Sequence, residues 1–190
     1  MNREIAEEVK KACEVMHAGG VILYPTDTVW GIGCDATNPE AVKKVYEIKR
    51  RADSKAMLVL VDSAVKVDFY VDDVPSVAWD LIELTDKPLT IIYDGARNLA
   101  TNLISEDGSI GIRVTSEEFS HKLCQQFRKA IVSTSANISG EPGAANFSEI
   151  SEEIKSAVDY IVDYRRDDMT KAKPSSIIKL GKGGTVKVIR

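Results

Sequence analysis

Two polar stretches hold most of the side chains able to do chemistry. Thr26, Asp27 and Thr28 follow an apolar run that ends at Tyr24, and STSANISGEPG, residues 133–143, follows another. The second carries four hydroxyls, Asn137 and two glycines, which can offer side-chain oxygens and backbone N–H groups to an anion. Between them KRRADSK places Lys49, Arg51 and Lys55 after a helical segment, where cations also suit the helix dipole. Arg113 stands inside the otherwise apolar SIGIRV, and a cation in a core strand is costly unless it is paired or set at the mouth of a site. Hydroxyl-rich loops with Arg and Lys at strand ends describe a pocket for a phosphate-bearing ligand and a small polar partner. Such a pocket works by charge neutralisation and positioning.

Other chemistries lack their residues. No G-x-x-x-x-G-K-[ST] loop occurs. GIGCDA formally matches a dinucleotide fingerprint, but there the helix opens within the glycines; here its cap arrives only at Asn38. His17 and His121, each read as exposed on a helix, have no metal-ligand spacing around them. VSTSANISG is not a G-x-S-x-G elbow, and Cys13, Cys34 and Cys124 fit neither a disulfide framework nor a zinc site. No metal ligands are therefore expected from the protein.

The elements that must position these residues are legible from periodicity. Ile5, Val9, Ala12 or Cys13 and Met16 mark a helix stopped by Gly19 and Gly20. A strand over 21–24 follows, then a helix capped by Asn38 with Pro39 at its first position. Strands are expected at 56–61, 89–93, 110–114, 130–133 and 160–163, with helices over 75–84, 117–128 and about 148–156. Residues 175–180 and 185–189 flank GKGG as a hairpin. This alternation predicts an α/β fold, a single domain built on a twisted mixed sheet. Its 190 residues, 44% apolar and 28% charged, suffice for one globular domain. No apolar run approaches a membrane span and no signal core opens the chain, so a cytoplasmic location and no membrane contact are expected. The net charge of −4 argues against an enveloping nucleic-acid grip, although residues 43–55 hold six Lys or Arg. Lys43 and Lys44 among them read as a solvated helix face.

YPTDTVWGIGCDA, IKRRADSK, SIGIRV, VSTSANISG and SSIIKL, in this order, closely resemble the YrdC-like family of threonylcarbamoyl-AMP synthases. The resemblance runs from about Gly19 to Arg190 and implies one α/β domain, residues 1–190, with a positively lined concave pocket and no larger C-terminal domain. It implies a reaction of L-threonine, bicarbonate and ATP, with Mg2+ held mainly through the ATP phosphates, and a downstream transferase complex that modifies tRNA. Thr28, Arg113, Ser133 and Ser175 would serve threonine. Lys49, Arg51 and Lys55 would act on the phosphates, and Ser109, Ser135, Asn137, Gly143 and Arg190 would complete the ATP site. Arg190 would become ordered with the nucleotide, and Asn137 would brace its loop. The sequence departs from the family pattern at Arg50, where Gly is usual, at Ala52, where Pro is common, in KAM at 55–57, in TDKPLT, and at Leu60, where some members use a histidine for threonine. Two other functions fit the family: a double-stranded RNA- or tRNA-binding module, and a carbamoyl transfer like that of the related hydrogenase maturation domain.

Overall fold

The computed structural model describes residues 3–52 and 57–190. In α1 (Arg3–His17) the side chains of Ile5, Val9, Ala12, Cys13 and Met16 form one buried face, and Gly19 ends the run in left-handed backbone, φ 80°. β1 (Ile22–Tyr24) follows, buried throughout. The turn-rich stretch beyond it is not all loop, as the sequence suggests, because Gly31–Gly33 forms β2 antiparallel to β1. A Cβ on Gly33 would stand 2.5 Å from Tyr24 Cε1 and 2.6 Å from the Val132 carbonyl oxygen, to which Tyr24 Oη donates at 3.0 Å. These glycines allow backbone to approach an aromatic ring rather than a pyrophosphate. α2 (Pro39–Lys49) starts where the sequence predicts, with Asn38 Oδ1 accepting from the Glu40 and Ala41 amides at 3.0 and 3.3 Å.

Beyond the undescribed residues come β3 (Leu58–Val61), α3 (Val65–Tyr70), α4 (Val77–Leu84), β4 (Leu89–Tyr93) and β5 (Ile110–Val114). Then follow α5 (Glu118–Phe127), β6 (Ile131–Ser135), α6 (Glu152–Ala157), β7 (Tyr160–Ile161), β8 (Ser176–Leu180) and β9 (Val186–Val188). The expected strand at 56–61 begins outside the described residues. α3 escapes periodicity because six residues hold too few repeats. The helix expected over 148–156 divides into a 3-10 turn, Phe147–Glu149, and α6, because Ser151 Oγ accepts the Ile154 amide and caps a fresh start. The terminal hairpin forms as expected.

The sheet runs β7-β1-β2-β6-β3-β5-β4-β8-β9, with parallel and antiparallel pairs mixed. One face buries Leu23, Ile32, Val59, Ile91, Ile112 and Val132 against α2, α3 and α4. On the other, α1 and α5 cover Ile22, Tyr24, Leu60 and Ile131. Each aliphatic side chain fully buried there contributes about 1.5–3 kcal/mol. The register continues this second face through Leu58, Gly111 and Ser133, which stand side by side. There the helical cover ends, and Leu58 and Ser133 line a cavity. Among the described residues no helix is long and apolar enough to cross a membrane.

Candidate active site

The cavity has a volume of about 560 Å³ and brings together nine of the residues singled out from sequence. Arg113, Ser133, Ser135 and Ser175 come from strands or their immediate ends; Thr28, Arg51, Asn137, Gly143 and Arg190 come from the turns and segments around them. Arg51, Arg113 and Arg190 make the wall positive, and none of its described lining residues is a carboxylate.

Arg113 is 3% exposed, and the site around it explains how β5 tolerates the charge. Its Nε donates to Asp27 Oδ1 at 3.0 Å, its Nη1 to Thr90 Oγ1 at 3.4 Å and its Nη2 to Thr28 Oγ1 at 3.2 Å. Thr26 folds the 26–29 turn that delivers Asp27 and Thr28: its Oγ1 donates to the Val29 carbonyl at 2.8 Å and accepts the Thr28 amide at 3.1 Å. Burial raises the Asp27 carboxyl above its ordinary value, and the Arg113 guanidinium opposes that rise. Thr90 Oγ1 lies 2.8 Å from Ser175 Oγ, which ties β4 to the entrance of β8. Hydroxyls thus frame the guanidinium on two sides.

The other end of the site is built by a helix terminus and a loop. Arg50 takes left-handed backbone, φ 50°, at the C-cap of α2, and the Arg51 amide donates back to the Tyr46 carbonyl at 2.9 Å. This turn aims Arg51 at the cavity and explains why glycine suits position 50. The Arg50 guanidinium instead pairs with Glu153 outside.

Lys49, expected to act on the phosphates, is not brought to the cavity wall. It is 1% exposed, and its Nζ donates to the carbonyl oxygens of Ser135 and Asn137. Its own carbonyl accepts the Ser139 amide at 2.9 Å. The ammonium is therefore committed to holding the 135–139 loop, and burial, with Arg51 nearby, lowers its pKa to about 8. Asn137 braces the same loop as expected, with Nδ2 donating to the Glu141 carbonyl at 2.9 Å.

Ser109 is likewise not brought to the cavity wall: it stands immediately before β5, four residues ahead of Arg113. Its Oγ donates to Asp107 Oδ1 at 2.6 Å. Arg190 lies on the wall with its backbone paired to Ile177 and its Nε donating to the Ser175 carbonyl at 3.1 Å. Leu60 is fully buried beneath α1 and α5, which accounts for an aliphatic residue there. Lys55 lies outside the described residues.

The sequence reading overlooked Asp27 and Thr90 as partners of Arg113. A buried arginine requires an acid, and Asp27 sits in a stretch already marked as functional, so that signal was present. A second cavity, of about 430 Å³, adjoins the first through Thr28, Ala145 and Ala172. Its wall includes Arg165, which donates to Glu117 at 3.3 Å and Asp168 at 3.0 Å. Nothing in the sequence marked Arg165.

An α/β domain with an arginine-lined cavity over the uncovered part of a mixed sheet defines the class of protein. Residues 14–190 match the family model Sua5/YciO/YrdC, described as telomere recombination, and the chain belongs to this family. A relative named threonylcarbamoyl-AMP synthase, from Pseudoalteromonas translucida, is 33% identical over 158 residues, covering 82% of this chain and 84% of its own. The crystal structure of E. coli YciO superposes with a TM-score of 0.82 at 25% identity, over 96% of this chain and 87% of that one. P. abyssi Sua5 complexed with L-threonine has the same fold, with a TM-score of 0.85 at 22% identity, over 96% of this chain and 53% of that one. This chain thus spans about half the length of P. abyssi Sua5.

Proposed function

We propose that this protein is an L-threonylcarbamoyladenylate synthase, which condenses L-threonine, bicarbonate and ATP to threonylcarbamoyl-AMP and pyrophosphate. The observation that carries the reading is one cavity in which a guanidinium framed by hydroxyls, Arg113 with Thr28 and Thr90, shares a wall with Arg51 and Arg190. The relative named for this activity, similar over four fifths of the chain, supports it.

Arg113 receives the threonine carboxylate, with Thr28, Ser133 and Ser175 offering hydroxyls beside it. The threonine amine condenses with bicarbonate to a carbamate, releasing water. The carbamate oxygen attacks the α-phosphorus of ATP, and pyrophosphate leaves. No protein nucleophile is needed: the task is an in-line pose and compensation of charge on the phosphates. Arg51, Lys55 and Arg190 supply cations, while Ser135, Asn137 and Gly143 border the nucleotide. Lys49 acts by holding the loop that carries Ser135 and Asn137. Mg2+ would be held mainly through the ATP phosphates, where it would neutralise charge. The product then serves a transferase complex that modifies tRNA.

The test is incubation of the protein with Mg2+-ATP, L-threonine and labelled bicarbonate. Threonine-dependent label in an adenylate, with matching pyrophosphate, is the expected result. Label in a nucleotide without threonine would overturn this reading, as would no labelled nucleotide at all.

A further inference from the structure

Asp27 stands where the walls of three cavities converge. It lines the second cavity and a smaller one of about 240 Å³ on the opposite face of the sheet, and its partner Arg113 lines the main one. A guanidinium has five N–H donors in a rigid fork. Here Nε is held by Asp27, and each terminal nitrogen gives one bond to a neutral hydroxyl, on Thr90 and on Thr28. That leaves the terminal edge of the fork two N–H groups to offer a carboxylate. Side chains of Asp27 and Arg113 are 9% and 3% exposed, so water competes little for the ion pair.

We propose that Asp27 is a positioning residue for amino-acid recognition: by holding Nε, it fixes the plane of the Arg113 guanidinium and turns the terminal edge toward the substrate carboxylate. The inference rests on the reading of the cavity as a threonine site. Its physical basis is preorganisation. An arginine released from Asp27 keeps its charge but must be reoriented for each binding event, and bidentate carboxylate pairing tolerates little error in plane. The acceptor oxygen, more than the negative charge, performs this task. An asparagine can still accept from Nε, whereas an alanine cannot.

The experiment measures steady-state adenylate synthesis for the wild type, Asp27→Asn and Asp27→Ala, with threonine and ATP varied separately. The melting temperature of each variant is recorded alongside. The expected result for Asp27→Ala is a threonine KM raised about tenfold or more, with the ATP KM and kcat within about threefold. Asp27→Asn should recover the threonine KM to within about threefold of wild type. A merely structural role would lower the melting temperature and the active fraction but leave the threonine KM of the folded enzyme unmoved. If Asp27→Ala does not fold, Asp27→Asn and Asp27→Leu are compared by calorimetric threonine binding, and equal affinities overturn the proposal. A threonine KM unchanged in Asp27→Ala, with the wild type active, overturns this inference alone; a wild type without threonine-dependent synthesis overturns the reading of the site and this inference with it.

Discussion

Two residues of chain separate core from cavity on the same face of one sheet. On β6, Ile131 is buried under α1 and α5, whereas Ser133 borders the cavity; on β3, Leu60 and Leu58 stand in the same relation. The strands and their alternation are the same in both halves. What differs is whether a helix lies on top. Side chains under α1 and α5 therefore carry stability, those beyond them carry ligand contacts, and Arg113, in register with Leu60, sits at the border.

Substitutions can break this division in order of expected effect. Arg113→Ala should injure both properties. It leaves Asp27 as a buried, uncompensated carboxylate, costing about 3–5 kcal/mol of stability at neutral pH in urea unfolding. It should also raise the threonine KM by about tenfold or more, through loss of a charged hydrogen bond of about 1.5–3 kcal/mol. Leu60→Ala, in register with it but under the helices, should cost about 2–5 kcal/mol of stability and leave the threonine KM of the folded enzyme unchanged. A raised KM there would show that the core half reaches into recognition.

Arg51→Ala belongs wholly to the open half. Turnover should fall about a hundredfold if Arg51 stabilises charge on the reacting phosphates, with the melting temperature nearly constant. Near-normal kcat would return Arg51 to the role of a helix-end cation. The smallest effect concerns Lys49, whose folded pKa of about 8 lies below the 10.5 of an unperturbed lysine. Between those values the unfolded chain binds a proton that the folded chain does not, so stability rises with pH across the window. Relative to Lys49→Met, wild-type stability should increase by about 2–3 kcal/mol from pH 8 to pH 10.5. Parallel pH profiles of the two proteins would place the Lys49 ammonium in a wetter setting than its burial implies.

Much of the fold was legible because local chemistry and packing agree. Asn38 and Pro39 mark the start of α2, the run ending at Tyr24 marks β1, and GKGG marks the last hairpin. β2 was not legible: its one strand-forming side chain, Ile32, stands between two glycines, and the segment pairs because Tyr24 and Val132 need a neighbour without a Cβ. The cavity residues were found as clusters, yet their roles were not. Lys49 and Arg51 are two residues apart in a basic run, and the left-handed turn at Arg50 sends one beneath a loop and the other to the cavity.

By itself the sequence determined the α/β alternation, the helix caps, the family, and which polar stretches gather at one site. These follow from side-chain periodicity and hydrogen-bonding capacity, which are properties of short segments. Only the tertiary structure decided which cations face the cavity, which are held by carbonyls or carboxylates, and that Asp27 belongs to Arg113, 86 residues away in the chain. A charge acquires its role from the dielectric and the partners around it, and here those come from strands distant in sequence.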